Sequence, residues 1–238
     1  VAYERVEVTV PRLAGGMVKV GVKHEECWEL FNWMRLGEHA EIVGPAGWGK
    51  SLAAIEAAKV LGLEYYSTGA VLSPTRLVGG ISPVTGEMII TGFRRVWEHG
   101  GVFIIDEADA SAPAVLILLN QALANGECAF DDAVVPQHED FVCVATANTV
   151  GNGATRDYSA RQRLDKATLD RFVNIAWQPD VDLEKRLATA AFKRFGGDES
   201  KLPVLNVWLS DVNNARNFVD EYEVDALITP RAAITVPY

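Results

Sequence analysis

The sequence has 238 residues, of which 49% are hydrophobic and 23% are charged. This length allows one large domain, or one domain with a small appendage, and the composition excludes disorder, collagen-like repeats and coiled coils as descriptions of the whole chain. The formal net charge of −10 argues against a broad basic surface for nucleic acid or for an anionic membrane.

The first part of the chain predicts a strand or arm, a helix, and a strand that leads into a glycine-rich turn. Residues 3–10 alternate weakly in hydropathy, and Pro11 breaks the pattern. Residues 24–36 space their apolar side chains as an amphipathic helix does. The apolar run at 39–43 predicts a strand, and the helix formers after the turn predict a helix that ends at Gly62.

Strands and helices continue to alternate in the middle of the chain. The predicted elements here are strands at 63–67, 102–105 and 141–147, hairpins at 81–91 and 127–140, and a helix at 112–125. The strand sequences VFII and FVCVATA are apolar on both faces, which is typical of buried strands in a parallel sheet.

The last part of the chain predicts mainly helices. LDKATLDRF is predicted as a helix and VNIAW as a strand, and two long helices follow from Asp182. Thr229 and Pro230 suit the first positions of a short final helix. We therefore predict an α/β fold with a small helical appendage. The predicted division is an N-terminal arm or strand at 1–20, an α/β core at 21–180 and a helical appendage at 181–238.

The strongest motif is GPAGWGKS at 44–51, which fits G-x-x-x-x-G-K-[ST] between a predicted strand and a predicted helix. The glycines let the backbone curl so that its N–H groups face a phosphate, and the helix that follows adds its positive end. Lys50 would reach the β- and γ-phosphates, and Ser51 would bind Mg²⁺. Trp48 is bulky for a free position of the motif. A chance match in a turn is the alternative, against which the flanking elements argue.

An acidic pair, Asp106 and Glu107, follows the buried strand VFII, at the edge where parallel sheets bind ligands. Asp106 would hold Mg²⁺ through its water shell, and Glu107 would polarise an attacking water. The two carboxylates could instead cap the next helix. The glycine-rich motif earlier in the chain favours the catalytic interpretation.

Three further polar positions have both a functional and a structural interpretation. Asn148, after the strand that ends in ATA, could orient a water or contact the γ-phosphate, or could only serve a turn. Arg171 could stabilise phosphate charge in its own chain or in a neighbour, or form an ion pair on a helix surface. Arg161 and Arg163 compete with it for that role. Arg231, inside the final helix, could equally be surface charge.

Cysteines and histidines give weaker signals. The three cysteines have no C-x-x-C spacing, so we predict a reducing, cytoplasmic setting, with Cys143 as a buried apolar side chain. No apolar stretch approaches the roughly 20 residues that cross a membrane, and no signal-peptide pattern begins the sequence. The histidines lack metal-ligand spacing and are predicted at the surface or at strand ends: His24, His39, His99 and His138.

Taken in order, GPAGWGKS, VFIIDEAD, ATANT, LDRF and TPRA resemble the motifs of AAA+ ATPases over nearly the whole chain. The polar segment after TANT and the two predicted hairpins are similar to the MoxR-like and cobaltochelatase CobS-like branch, which includes proteins carried by phages. The resemblance implies a P-loop NTPase sheet of order 5-1-4-3-2 with a C-terminal helical lid. Lids of this family usually extend further beyond the position of Arg231, so we expect this lid to be incomplete.

The resemblance also implies a role for each matching residue. Walker A contributes Lys50 and Ser51, Walker B contributes Asp106 and Glu107, and the remaining matches are Asn148 as sensor 1, Arg171 as arginine finger and Arg231 as sensor 2. The implied nucleotide-binding residues are Gly44, Pro45, Ala46, Gly47, Trp48, Gly49, Lys50, Ser51, Asp106 and Arg231. The implied catalytic residues are Lys50, Glu107, Asn148 and Arg171, with Ser51 and Asp106 as the metal ligands.

The function implied by the resemblance is a Mg²⁺-dependent ATPase that forms a homo-oligomeric ring, usually a hexamer, and remodels a macromolecular partner. ATP would lie between subunits, where Arg171 would reach the neighbour's γ-phosphate. A protein substrate or adaptor is favoured over nucleic acid, and no membrane is implied. One alternative is a nucleotide-gated scaffold or chelatase-type subunit that hydrolyses little ATP. Another is a DNA-directed phage motor, for which the candidate basic cluster is Arg156, Arg161, Arg163 and Lys166.

Overall fold

The fold is described from a computed structural model of the chain. It describes residues 8–11, 17–20, 24–148, 171–194, 196–222, 224, 226 and 228–234. Most of the predicted helix LDKATLDRF lies outside these residues, and so does the whole basic cluster Arg156, Arg161, Arg163 and Lys166.

Helices and strands alternate through the core, and the C-terminal part is helical. Within the described residues the strands are β1 Val8–Pro11, β2 Met17–Val20, β3 Ala40–Val43, β4 Tyr65–Thr68, β5 Gly80–Ile81, β6 Met88–Ile89, β7 Gly101–Ile105, β8 Glu127–Ala129, β9 Val134–Pro136, β10 Phe141–Ala147 and β11 Val173–Ala176. The α-helices there are α1 Cys27–Arg35, α2 Lys50–Leu61, α3 Pro74–Val78, α4 Gly92–His99, α5 Pro113–Asn125, α6 Val181–Arg194, α7 Leu202–Glu221 and α8 Pro230–Ile234.

A five-stranded parallel sheet forms the centre of the fold, with the strands in the order β11-β3-β10-β7-β4. Numbered along the chain, these strands have the order 5-1-4-3-2, so the predicted order is confirmed. Val43 at the end of β3 lies opposite Ala147 of β10 and Ala176 of β11. Because parallel strands end at a common edge, the loops after β3, β7 and β10 meet there.

Both faces of the sheet are covered, which explains why its central strands are mainly apolar. Every residue of β7 and β10 is buried. One face packs against α1 and α2, with Leu30 and Ala54 in the contact, and the other packs against α4 and α5, with Phe93 and Trp97. Cys143 is fully buried as predicted, and this burial raises the pKa of its thiol.

Both predicted hairpins are present. In the first, β5 and β6 pair antiparallel, and in the second β8 pairs with β9. The second hairpin is held to α4, because the Arg94 guanidinium lies 2.6 Å from the Asp132 carboxylate and 4.6 Å from the centre of the Phe130 ring. Near the N-terminus, where an arm or strand was expected, β1 and β2 form a separate antiparallel pair.

The C-terminal helices α6, α7 and α8 pack around a small apolar cluster of their own. Its buried members are Ala188, Leu205, Leu209, Val212 and Ala233. Glu184 on α6 is also buried, and both of its carboxylate oxygens accept hydrogen bonds from Arg216 on α7, at 2.6 and 2.8 Å. This pairing holds α6 to α7, since a buried carboxylate without a partner is strongly destabilising. Among the described residues no helix is long and apolar enough to span a bilayer.

The position of His24 corrects the prediction that the histidines lie at the surface or at strand ends. His24 is only 4% exposed, and its ring stacks on Trp177 with 4.1 Å between centroids. Its Nε2 donates a hydrogen bond of 2.7 Å to the Gln178 carbonyl. The burial arises because β11 runs beside β3 and brings the chain after residue 176 over the start of α1, a long-range contact that no local pattern predicts.

Candidate functional site

The glycine-rich loop connects the end of β3 to the start of α2, as predicted. Gly47 and Gly49 have φ angles of 84° and 79°, in the left-handed region that other residues avoid. Gly44 has no room for a side chain, because a Cβ there would lie 2.1 Å from the Trp177 carbonyl oxygen. The loop residues Pro45 and Ala46 complete the turn before α2 begins at Lys50.

The side chain of Lys50, the first residue of α2, reaches back to the loop, and Lys50 is only 6% exposed. Its Nζ donates hydrogen bonds to the carbonyls of Gly44 and Pro45, at 2.7 and 2.8 Å, and to Asn148 Oδ1 at 2.8 Å. The last of these contacts joins α2 to the end of β10. The structure therefore brings together Lys50 and Asn148, which are far apart in sequence.

Asp106, at the end of β7, receives two hydroxyl hydrogen bonds on one carboxylate oxygen. Ser51 Oγ donates to Asp106 Oδ1 at 2.7 Å, and Thr146 Oγ1 donates to the same oxygen. Thr146 is a functional residue that the sequence did not predict. The sequence feature that could have identified Thr146 is its position in β10, two residues before Asn148. This strand ends at the edge of the sheet where the glycine-rich loop lies.

Glu107 is held in an unusual backbone conformation next to Asp106. Its φ of 54° makes it the one non-glycine residue with a positive φ in the described part of the chain. Such a conformation costs about 1 kcal/mol or more and persists only where the surroundings hold it. One such restraint is the hydrogen bond from the Glu107 N–H to Thr146 Oγ1 at 3.2 Å. The Glu107 side chain is exposed at the edge of the sheet.

Asn148 is fixed through its backbone as well as through its amide. The Asn148 N–H donates to Asp109 Oδ2 at 3.1 Å, and Asp109 is fully buried. Thr146, Asp109 and the loop carbonyls thus position the residues that the sequence predicted: Lys50, Ser51, Asp106, Glu107 and Asn148. All of these lie at the carboxyl edge of the sheet.

Arg171 is not close to this cluster. It precedes β11, and the register of β11 places Val173 beside Ala40, at the opposite end of β3 from Gly44. The length of β3 alone separates Ala40 from the loop by about 10 Å. Arg171 precedes Val173 by two residues and therefore lies further from the loop than Ala40 does. Arg171 is exposed at that opposite edge. The structure therefore places it away from the site of its own chain.

Arg231 follows two residues that lie close to the loop. It is the second residue of α8 and is exposed. The residues just before it contact the loop, since a Cβ on Gly47 would lie 2.9 Å from Thr229 Cβ and 3.3 Å from Pro230 Cδ. Arg161 and Arg163, which competed with Arg171 in the sequence, lie outside the described residues.

The oxygen donors of the cluster fit Mg²⁺. The Ser51 hydroxyl and the Asp106 carboxylate are hard oxygen ligands 2.7 Å apart, and Mg²⁺ in proteins commonly takes one or two such ligands and keeps several waters. In the described part of the chain no group of three or more His, Cys, Asp or Glu side chains could hold a metal ion.

A buried acid, Glu41, lies beside the cluster in the middle of β3. It is 3% exposed and accepts a hydrogen bond of 3.2 Å from Asn174 Nδ2. Burial, and next the charge of Asp109, raise the pKa of Glu41 from 4.5 to about 7, against the opposing effect of the Asn174 hydrogen bond. Local sequence gave no sign of this acid, because a single Glu in a short strand is usually exposed.

Replacing Glu41 with glutamine should remove a pH dependence of stability. Between pH 4.5 and about 7 the folded chain keeps the Glu41 proton that the unfolded chain loses, so the free energy of unfolding falls as the pH rises through this window. Glutamine does not titrate. Across this window the free energy of unfolding of the variant should therefore rise relative to that of the wild-type chain, by up to about 3 kcal/mol. Urea unfolding of both chains at the two ends of the window measures the gain.

His39 provides an internal reference for this experiment. Burial lowers the pKa of His39 from 6.5 to about 4, so its contribution to the free energy of unfolding rises with pH between these values, opposite in sign to that of Glu41. The Glu41→Gln chain should therefore become more stable as the pH rises through this range. A stability difference between the two chains that is the same at both ends of the Glu41 window would contradict the assignment.

Comparison with known proteins agrees with this geometry. A family model described as AAA domain, dynein-related subfamily, matches residues 40–172. The match includes the loop, the acidic pair, Asn148 and Arg171. No curated protein matches the chain.

Solved structures resemble the chain in fold. A candidate ATPase from Cytophaga hutchinsonii superposes with a TM-score of 0.50 at 19% identity, covering 87% of this chain and 54% of that one. NtrX from Brucella abortus superposes with a TM-score of 0.56 at 15% identity, covering 74% of this chain and 41% of that one. The chain thus spans about half the length of these proteins or less. Since the family model matches more than half of the chain and includes the whole hydrogen-bonded cluster, the chain belongs to the AAA domain family, in its dynein-related subfamily.

Proposed function

We propose that this chain is a Mg²⁺-dependent ATPase that hydrolyses ATP at sites shared between neighbouring copies in a ring, usually a hexamer. The observation that carries the proposal is the hydrogen-bonded cluster of Lys50, Ser51, Asp106 and Asn148 at the carboxyl edge of the sheet. Lys50 supplies a cation that binds phosphate, and Asn148 supplies a polar amide. Ser51 and Asp106 supply two metal ligands.

The loop and Lys50 are suited to bind the phosphates of ATP. The backbone N–H groups at the start of α2 and the positive end of that helix attract an anion. The Lys50 ammonium, which donates here to the Gly44 and Pro45 carbonyls, would donate to the β- and γ-phosphates instead. Ser51 and Asp106 would hold Mg²⁺, which neutralises charge on those phosphates when it is bound.

Glu107 is the candidate general base for hydrolysis. Its carboxylate would accept a proton from the attacking water, as the water oxygen bonds to the γ-phosphorus and the bond to the β-γ bridging oxygen breaks. ADP and phosphate are then the products. The Asn148 amide would orient the water or the γ-phosphate, and its own position is fixed by Asp109.

The position of Arg171 supports a site that a neighbouring copy completes. Arg171 lies at the end of β11 away from its own loop, so its guanidinium cannot reach the phosphates that this loop would bind. In a ring, the same arginine would face the site of the next copy and stabilise the charge that spreads over the γ-phosphoryl group. Arg231 is on the helical lid, near Gly47 of the loop. It would contact the nucleotide that the loop of the same chain binds.

The remaining parts of the proposal concern partners and setting. We infer that hydrolysis remodels a macromolecular partner and that a protein is the more suitable class, because the net charge of −10 is unfavourable for a nucleic-acid surface. The hairpins β5–β6 and β8–β9 support membership of the MoxR-like and CobS-like branch, to which phage proteins also belong. The cytoplasmic setting stays a prediction.

Lys50→Ala tests the nucleotide site. Loss of the ammonium removes charge-assisted hydrogen bonds to phosphate, so ATP affinity should fall by about 10- to 100-fold and hydrolysis should be lost. Calorimetric titration with ATP and Mg²⁺ measures the affinity. Lys59→Ala is the matched control, because Lys59 is an exposed lysine on the same helix, and this variant should behave as the wild-type chain. Unchanged ATP binding and hydrolysis in Lys50→Ala would contradict the proposal.

A further inference from the structure

Trp48 occupies one of the positions of the phosphate-binding loop at which the motif requires no particular side chain. It lies between Gly47 and Gly49, two residues before Lys50. Its ring is partly buried and packs against the core cluster beneath α1 and α2. Its backbone carbonyl accepts a hydrogen bond of 2.9 Å from Trp177 Nε1.

The Trp48 ring also lies close to a residue of the C-terminal helices, which form the helical lid. The guanidinium carbon of Arg216, on α7, lies 5.5 Å from the ring centre, within the range of a cation–π contact. Arg216 is held firmly in this place. It donates two hydrogen bonds to the buried Glu184 carboxylate, at 2.6 and 2.8 Å, and its Nε donates to the Ile228 carbonyl at 3.0 Å. The lid thus presents a fixed cation to the loop.

Arg216 joins three elements of the lid at this point. Glu184 is on α6, Arg216 is on α7, and Ile228 leads into α8, which begins at Pro230. A displacement of the Trp48 ring would therefore reach all three helices through one guanidinium. The loop and the lid are also close at Gly47, where an added Cβ would lie 2.9 Å from Thr229 Cβ.

We propose that Trp48 is a positioning residue that couples the phosphate-binding loop to the helical lid through the Arg216 guanidinium. The inference rests on the proposed function, since it takes nucleotide binding at the loop as its starting event. When Lys50 exchanges its loop carbonyls for phosphate oxygens, the two glycines beside Trp48 allow the loop to adjust, and the ring carries that adjustment to Arg216. By linkage, the lid then strengthens nucleotide binding to the same extent.

Trp48→Leu and Trp48→Phe form the matched pair that tests this coupling. Both side chains are apolar and keep the backbone carbonyl that Trp177 contacts, but only phenylalanine retains an aromatic face for Arg216. Loss of a cation–π contact corresponds to about a two- to thirtyfold weakening. We expect ADP with Mg²⁺ to bind the leucine variant more weakly by a factor in that range, and the phenylalanine variant nearly as tightly as the wild-type chain.

Hydrogen exchange separates coupling from simple stability. In the wild-type chain and in Trp48→Phe, ADP with Mg²⁺ should slow amide exchange in α7 and α8, whereas in Trp48→Leu the loop should still be protected and the lid should not. Each chain is compared with its own exchange without nucleotide, because Trp48→Leu already lacks the contact with Arg216 in that state. Equal nucleotide-dependent protection of the lid in Trp48→Leu and in the wild-type chain would overturn the inference, as would an equal loss in both variants.

A variant of the lid approaches the same contact from the other side and does not depend on the folding of the loop variants. Arg216→Met combined with Glu184→Gln removes the cation without leaving an unpaired buried carboxylate. It should lose lid protection as Trp48→Leu does, and combining it with Trp48→Leu should weaken ADP binding no further. Additive losses would overturn the inference.

If the wild-type chain bound no nucleotide, the proposed function would fail and the inference with it. If nucleotide bound but did not protect the lid, the inference alone would fail.

Discussion

Arg171→Ala should lower the rate of ATP hydrolysis per site by about 10³- to 10⁵-fold while leaving ATP affinity nearly unchanged. An arginine that reaches the γ-phosphoryl group stabilises the charge of the transition state, and its loss therefore affects turnover far more than binding. The effect is expected even though Arg171 is remote from the loop of its own chain, because we propose that the site it serves belongs to a neighbouring copy. Steady-state hydrolysis and calorimetric ATP titration measure the two quantities separately.

Mixing experiments show in which chain Arg171 acts. Arg171→Ala keeps a complete loop and acidic pair, whereas Glu107→Gln keeps a complete Arg171. If the arginine acts on the neighbour, mixing the two inactive variants should restore part of the activity, because some interfaces then join the intact halves. No recovery in assemblies shown to contain both variants would contradict action between copies. Arg95→Ala is the matched control: Arg95 is an exposed arginine of α4, and its loss should not change the rate.

Glu107→Gln should bind ATP and hydrolyse it about 10²- to 10⁴-fold more slowly than the wild-type chain. Glutamine keeps the size and the polar character of the side chain but cannot accept the proton of the attacking water. The backbone restraint from Thr146 acts on the Glu107 N–H and is unaffected by the substitution. A single-turnover assay with ATP and Mg²⁺ separates the chemical step from product release.

The control for this variant is a carboxylate outside the site. Glu64 is exposed and precedes β4, and its carbonyl accepts a hydrogen bond from Val102 N near the start of β7. It therefore lies at the edge of the sheet away from the loop, and Glu64→Gln should retain full turnover. Retained turnover in Glu107→Gln would remove Glu107 from the proposed mechanism.

The central sheet could be predicted from the sequence because its signals are local. A strand buried on both faces is apolar along most of its length, and FVCVATA identifies β10 residue for residue. The glycine loop required a strand before it and a helix after it, and both are present. The order of the strands followed from the family resemblance, since no local pattern specifies which strands are neighbours.

The cluster at the carboxyl edge was predicted where a motif marked it and missed elsewhere. Lys50, Ser51 and Asp106 belong to motifs whose spacing reflects phosphate and metal geometry. Thr146 and Asp109 lie within the segments ATANT and VFIIDEAD, but neither was given a role, although one bonds to Asp106 and the other holds the backbone of Asn148. Such supporting residues depend on register between strands, which a single sequence does not reveal.

The contacts between loop and lid were the hardest to predict, for the same physical reason. Arg216 contacts both Trp48 and Glu184, although the three residues are far apart in the chain. No sequence pattern around any one of them predicts the other two. An exposed and a buried arginine have the same local sequence signal, and only the fold distinguishes them. The prediction that His24 lies at the surface or at a strand end was wrong, because Trp177, which follows β11, stacks on its ring.

The central claim is that ATP is hydrolysed at sites completed between copies of this chain. Its most direct test is the initial rate of ATP hydrolysis per chain with Mg²⁺, measured over a dilution series of the wild-type protein while sedimentation velocity reports its assembly state. We predict that the rate per chain rises steeply with concentration and follows the assembled fraction. A rate per chain that stays constant as monomers assemble would contradict the shared site, and no hydrolysis at any concentration would contradict the proposed activity itself.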